Sequence, residues 1–445
     1  MGKGKFLVIA LALQCQALAP KLDSRMRPPP ATDAAELKNN ILASPRTVRY
    51  PYTTDCPGCR DATDTARLGA LEVPSLALGT ISWTPEKEKS GFRPGDRLDG
   101  KIGTAVAQAG VAAAALESGL TFFDTAERYS VGVGETLLAD ALAEGAEYAV
   151  GPKKTFPAAA AAPRPRPVVA TKFTPAPWRL GAESVVAACE ASRAQLGVDQ
   201  IDLYQIHMPD IVQPGAAFGY VDIKDEEYWL GLARCKELGL VKEIGVSNYG
   251  PTLLRRCAAF MKTRGHRLAS NQIHYSLLAR KVGGNQAAVD AANELGITTL
   301  AYYPLAMGLL TEKGPERTGA LEHYAKGGAG YIGVPWLEKN KVEVPAGGVA
   351  PLVDELKRVA DARGKTVTQV ALNWIIGSGV VPIAGATTEA YVRDAAGAVG
   401  WRLSGDERAS LEAAADSLGF EFQGTFFKRV DGKFVGYGVE EWSLD

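Results

Sequence analysis

Short apolar runs recur along the chain, separated by stretches with helical periodicity. They cover residues 75–80, 120–124, 168–172, 201–207, 243–248, 269–275, 298–303 and 380–385. Each is rich in β-branched or aromatic residues and apolar at consecutive positions, the pattern of a strand covered on both faces. Between them lie Ala-rich amphipathic stretches such as 185–196, 228–238 and 352–363. Parallel strands joined by crossover helices satisfy both patterns. Eight such units predict an α/β fold of the (β/α)8 TIM-barrel class over residues 68–415. An open, doubly wound sheet is the rival, but no run is followed by a Gly-x-Gly-x-x-Gly turn, only the fragment Gly132-Val133-Gly134.

Segments that break this rhythm mark insertions and ends. Residues 152–167 are of low complexity, rich in Pro, Ala and Arg. Residues 311–351 form a long, Gly-rich loop after the seventh strand, where a barrel places segments over its mouth. The tail, 416–445, carries Asp431-Gly432 between alternating residues, the signal of a short hairpin. At the other end, Lys3 and Lys5 precede an apolar run over 6–13 and small residues up to Ala17. That order predicts a signal peptide over 1–17. The run falls short of the ~20 apolar residues that span a bilayer, and no later run reaches that length, so no membrane association is expected of the mature chain. Residues 18–67 begin Leu18-Ala19-Pro20 and continue with Lys21, Arg25 and Arg27. This resembles the two-part address of complex plastids, so a plastid is the expected location, with secretion the alternative.

Composition narrows the function classes. The 445 residues carry 49 Lys+Arg against 50 Asp+Glu, a net charge of −1 that gives no general pull towards nucleic acid. Six cysteines in this length do not make a disulfide scaffold. Cys56-Pro57-Gly58-Cys59 has redox or metal spacing. Without a second such pair zinc is not expected, and a turn holding two thiols accounts for it. No His/Cys cluster calls for a metal elsewhere.

The chemistry is expected where strands end. Asp124 closes the second run, Lys172 the third and His207 the fourth, so three ionisable groups face one barrel mouth. Tyr129 follows Asp124 on the loop leaving that strand and can fold back over the same mouth. Singly, each has an ordinary structural explanation: a cap, a packed ring, a surface charge, a core histidine. Together they make a coherent acid. A phenol with pKa ~10 is a poor proton donor, a neighbouring ammonium favours its phenolate, and a carboxylate holds the ammonium in place. His207 adds a donor to a polarised carbonyl oxygen.

Asp124, Tyr129, Lys172 and His207, in that order and strand context, resemble the tetrad of the aldo-keto reductases, and the wording is that of plant plastid-type members. Gly79-Thr80, Ser247-Asn248, Asn271-Gln272, Tyr302 to Leu305, Gly308 and Pro382 to Gly385 are similar to further family hallmarks. The resemblance implies reduction of a small aldehyde or ketone, pyridoxal among the candidates, by hydride from NADPH with Tyr129 as proton donor. It implies that Ser247, Asn248 and Gln272 hold the nicotinamide carboxamide, that Tyr302 stacks on the ring, and that Gly79, Thr80, Asp124, Leu305, Gly308, Gly385, Thr387, Thr388, Arg393 and Asp394 complete the dinucleotide site. Thr387 stands where relatives carry a Lys and Ala395 where they carry an Asn, which weakens the expected preference for NADP over NAD. Trp83, Trp178 and Met208 are candidates for a substrate pocket. Two other functions fit the same residues: a cofactor-binding, redox-sensing regulatory subunit, and a barrel isomerase or aldolase using Lys172 as a Schiff base.

Overall fold

The computed structural model describes residues 65–85, 103–148, 166–210, 224–281, 285–315, 348–419, 428–430 and 433–435. The expected signal peptide and most of the transit-like segment, Cys56 and Cys59 lie outside these residues. So do most of the 152–167 insertion and most of residues 311–351.

The chain enters as a hairpin, β1 (Thr65–Leu68) paired antiparallel with β2 (Leu71–Pro74). Eight strands then alternate with helices. They are β3 (Ala77–Gly79), β4 (Phe122–Asp124), β5 (Val168–Phe173), β6 (Ile201–Ile206), β7 (Val241–Ser247), β8 (Ser270–His274), β9 (Thr298–Tyr302) and β10 (Val381–Gly385). Each pairs in parallel with the next, and β10 returns to β3 with Ile383 opposite Ala77 and Gly385 opposite Gly79, closing the barrel. All eight runs read from the sequence are these strands, and the fold is a (β/α)8 barrel.

The outer layer comprises α1 (Ala105–Glu117), α2 (Gly134–Tyr148), α3 (Gly181–Leu196), α4 (Asp225–Glu237), α5 (Pro251–Thr263) and α6 (Asn285–Glu294). It continues with α7 (Ala350–Arg363), α8 (Val367–Gly377), α9 (Glu389–Ala396) and α10 (Gly405–Ser417). Local chemistry sets several ends: Thr366 and Ser404 form capping boxes with Gln369 and Glu407, and Gly197 and Gly364 take the left-handed conformation that ends α3 and α7. One apolar core fills the space between strands and helices, while a second fills the barrel itself.

The hairpin is an element the sequence reading did not anticipate, and it begins at Thr65, ahead of the boundary placed at residue 68. Its Leu68 and Val73 pack onto Phe122, Ala170, Leu203 and Val381, plugging the end of the barrel where the strands start. Glu243 of β7 fixes it by accepting from Ala70 N at 2.9 Å. Gly69 has φ +61, and a Cβ there would sit 2.5 Å from the Glu243 carboxyl carbon. With one end plugged, the opposite end is left for chemistry. In the tail, β11 (Lys428–Val430) and β12 (Lys433–Val435) pair antiparallel around residues 431 and 432. Among the described residues, no helix is long and apolar enough to cross a membrane, and no group of three or more His, Cys, Asp or Glu is placed to hold a metal ion.

Candidate active site

Asp124 is the last residue of β4 and Lys172 the fifth of β5, both buried in the open end of the barrel. Lys172 Nζ lies 2.7 Å from Asp124 Oδ2, 2.8 Å from the Thr125 carbonyl oxygen and 3.4 Å from Tyr129 Oη. An ammonium has three N–H donors, and these three acceptors use them all. Burial draws the Lys172 pKa below its ordinary value and outweighs Asp124, which acts in the opposite direction. A depressed pKa alone would suit the Schiff-base reading of Lys172. Steric access tells against it, because an Nζ with no exposed surface and all its donors committed cannot meet a carbonyl carbon.

His207 leaves β6 on the adjacent side, its backbone N donating to Phe173 O at 2.7 Å. Its ring lies edge-on to Tyr129, with centroids 5.8 Å apart. Burial, then the positive charges of Lys172 and Arg128, hold the imidazole well below its ordinary pKa, so it is neutral at neutral pH. Nδ1 is 3.2 Å from Thr174 Oγ1. Tyr129 opens a 3₁₀ turn in which Ser130 and Val131 have φ of 53° and 58°. Gly134, the first residue of α2, packs against Tyr129, since a Cβ there would come within 2.8 Å of Tyr129 Cβ. The loop is further held by Glu127, which accepts from Thr174 N at 2.6 Å and receives the Arg179 guanidinium on both oxygens at 2.6 and 3.0 Å.

A second set lies across the mouth on β7, β8 and β9. Tyr302 Oη donates to Asn248 Oδ1 at 2.8 Å, Asn248 Nδ2 to Ser247 Oγ at 3.1 Å, and Ser247 Oγ to Gln272 O at 2.8 Å. Gln272 Nε2 reaches Asp124 Oδ1 at 2.8 Å, linking this set to the first. Asn248 takes φ +62, and its Nδ2 also donates to His207 O at 3.0 Å. Tyr302 stacks on the buried His274, with centroids 5.6 Å apart and planes at 12°, and keeps part of its own surface exposed. Two side-chain amides, a hydroxyl and a braced aromatic ring match a nicotinamide carboxamide, which needs both donors and acceptors beside a flat surface. The donor set therefore fits a nicotinamide group. Thr80 donates from N and Oγ1 to Asp124 O and so fixes the end of β4, while Gly79 leaves only 3.0 Å between a Cβ and Ile383 Cγ2. Leu305 is buried ahead of a 3₁₀ turn that contains Gly308.

The residues expected at the far end of a dinucleotide are less gathered. Thr388 caps α9, accepting from Tyr391 N, and Thr387 and Gly385 precede it, so a helix N-terminus is present for an anion. Arg393 is half exposed and paired with Glu117 at 2.7 Å. Asp394 Oδ1 accepts from Thr366 Oγ1 and Gln369 Nε2 at 2.9 and 3.0 Å, so its carboxylate is engaged with the start of α8 rather than free for a ligand. Of the pocket candidates, Trp178 is 66 % exposed and Met208 is largely buried. Trp83 is fully buried, its indole N–H donating to Ala386 O at 2.8 Å, which makes it a core residue with no surface for a substrate.

Sequence reasoning missed four residues of this site. Thr174 and His274 each stand two positions beyond a chosen residue, Lys172 and Gln272, so strand alternation could have nominated them. Glu127 and Arg179 are 52 residues apart and carry no local signal.

Residues 93–416 match the model of the aldo/keto reductase family. The chain is similar to chloroplastic pyridoxal reductase of Arabidopsis thaliana, 33 % identical over 365 residues that cover 78 % of this chain and 85 % of that protein. Among solved structures its fold is similar to a Bombyx mori aldo-keto reductase in complex with NADP, with 21 % identity, a TM-score of 0.54 and coverage of 84 % of this chain and 95 % of that one. It is likewise similar to the glycerol dehydrogenase of Gluconobacter oxydans, with 22 % identity, a TM-score of 0.55 and coverage of 80 % and 96 %. A family match over most of the chain and a relative one-third identical along most of its length place this protein in the aldo/keto reductase family, as a nicotinamide-dependent oxidoreductase.

Proposed function

We propose that the protein reduces an aldehyde or ketone to the alcohol, with NADPH as hydride source and Tyr129 as proton donor. One observation carries this reading: Lys172 Nζ bonds Asp124 Oδ2 and Tyr129 Oη at once. The bound dinucleotide would supply hydride from its nicotinamide ring. Tyr129 would donate its hydroxyl proton to the substrate oxygen as negative charge develops there. The ammonium of Lys172 stabilises the phenolate left behind, and Asp124 balances the ammonium so that it stays charged in a buried place. With Thr174 Oγ1 as the donor to Nδ1, the neutral His207 would carry its proton on Nε2, the nitrogen then free to donate to the same oxygen. Ser247, Asn248 and Gln272 would hold the carboxamide, and Tyr302, backed by His274, would orient the ring.

Three finer readings rest on narrower support. Preference for NADPH follows from Arg393 and from the N-terminus of α9 at Thr387 and Thr388, where a 2′-phosphate would find charge and backbone donors. Pyridoxal is the first aldehyde to try, given the likeness to a pyridoxal reductase. A plastid is the proposed location, supported by the chloroplastic relative and by the composition of residues 1–67.

The test is turnover by the purified protein, with NADPH and with NADH, against a carbonyl panel that includes pyridoxal and 4-nitrobenzaldehyde. Tyr129→Phe should reduce the rate about 10³-fold while dinucleotide binding is kept. Full activity in that variant would remove Tyr129 as the acid. Dinucleotide binding without turnover on any carbonyl would favour a regulatory role.

A further inference from the structure

Several carboxylates in or near this core pair with cations, whereas the buried Asp210 and Asp225 rest on backbone N–H donors. Asp124 has Lys172, Glu127 has Arg179, Glu243 has Lys236, and Asp202 has both Arg166 and Lys242. Glu135, the second residue of α2, is fully buried, yet no cation among the described residues forms an ion pair with it. Its Oε1 accepts from Thr171 Oγ1, while Oε2 has no hydrogen-bond partner among the described residues. Two more buried oxygens lie near it without a well-formed hydrogen bond, Ser192 Oγ of α3, whose hydroxyl still favours the carboxylate, and Tyr204 Oη of β6. Thr171 and Tyr204 sit opposite each other in the β5–β6 ladder and so share the face that meets α2 and α3. An ionised carboxylate with an unpaired oxygen is costly in such a place, and a protonated one much less so.

The groups around Glu135 decide what its proton does. They are Thr171 from β5, Ser192 from α3, Glu127 from the loop after β4 and Tyr204 from β6, with Lys172 acting by its charge from the other face of β5. Only Lys172 among them is cationic, and it is committed to Asp124, Thr125 and Tyr129. We propose that Glu135 is a positioning residue for the carbonyl reduction proposed above. Protonated, it leaves the Lys172 charge free to stabilise the Tyr129 phenolate; ionised, it sets a second negative charge against that phenolate. The inference rests on the reading of Tyr129 as the acid. Burial lifts the Glu135 pKa to about 7, with Glu127 adding to the rise and Thr171, Ser192 and Lys172 opposing it, so the change falls in the working range.

The experiment compares wild type and Glu135→Gln by the single-turnover rate of hydride transfer from NADPH, from about pH 5 to about 9. Gln keeps the shape and the acceptor for Thr171 but cannot ionise. The wild-type rate should fall about five- to tenfold through the Glu135 titration, and the variant should hold its low-pH rate over the same interval. In parallel, infrared spectra of the wild-type protein with ¹³C-labelled glutamate should show a protonated glutamate carbonyl band that disappears with the same midpoint. This second readout stands even if the variant does not fold. A variant whose rate falls with the wild-type midpoint overturns the inference, as does a wild-type protein with no protonated glutamate at about pH 6. Those outcomes leave the reduction chemistry intact. A wild-type protein that turns over no carbonyl at any pH overturns the reading of the site and this inference with it.

Discussion

Gln272 Nε2 donates to Asp124 Oδ1 across 2.8 Å, while the other oxygen of the same carboxylate holds Lys172 at 2.7 Å. One carboxylate thus registers the acid half of the site against the half suited to a nicotinamide. Asp124→Asn leaves one acceptor oxygen for two donors, Lys172 and Gln272, and removes the charge that balances a buried ammonium. The rate of hydride transfer should fall about 10²- to 10³-fold, with a loss of ~3 kcal/mol in stability. Stopped-flow reduction and denaturant unfolding check both numbers. A variant with wild-type stability would mean that Lys172 is not held as an ammonium.

The Glu127–Arg179 fork ties the loop after β4, which carries Tyr129, to the loop after β5. Arg179→Lys keeps a positive charge but cannot make two parallel bonds. Since no side-chain atom of the fork bonds a residue assigned to the dinucleotide among the described residues, dinucleotide affinity should stay unchanged. The catalytic rate should drop about tenfold as Tyr129 loses its fixed position. Fluorescence titration and steady-state kinetics separate the two effects, and a change in affinity alone would place the fork on the wrong side of the mouth.

Arg393 is half exposed, and the structure pairs it with Glu117. Exposed pairs of this kind contribute little to stability, so the guanidinium can be released without harm to the fold. Glu117→Gln should improve the Michaelis constant for NADPH about two- to fivefold and leave that for NADH unchanged. Arg393→Ala should do the reverse, raising the constant for NADPH alone. Equal effects on both dinucleotides would show that Arg393 does not meet the 2′-phosphate.

The barrel was legible because its strands are apolar on both faces, a pattern few other architectures produce over eight runs. Asp124, Lys172 and His207 were legible for the complementary reason: each is an ionisable residue at the end of such a run. Trp83 was misplaced because an aromatic residue just past a strand suits either a pocket wall or the core, and only its indole bond to Ala386 decides. The hairpin over Thr65–Pro74 escaped because its strands have four residues each and turn through Gly69-Ala70, without an Asn-Gly or Asp-Gly signal. The missing cation beside Glu135 could not be read at all, since it depends on which helices meet β5 and β6.

His274 is buried behind Tyr302, and burial lowers its pKa from 6.5 to about 3. The unfolded chain therefore binds a proton that the folded chain refuses between those two values. Stability from this source is fully present above pH 6.5 and is lost as pH falls towards 3, at about 1.4 kcal/mol per pH unit. His207, depressed in the same direction by burial and by Lys172, adds a slope of the same sign. His274→Phe keeps a flat ring against Tyr302 but has no proton to gain. Between about pH 4 and 6 its unfolding free energy should fall less steeply than that of wild type, by about 1.4 kcal/mol per pH unit. Urea titrations at several pH values measure both slopes, and parallel curves would mean that His274 is protonated in the folded protein.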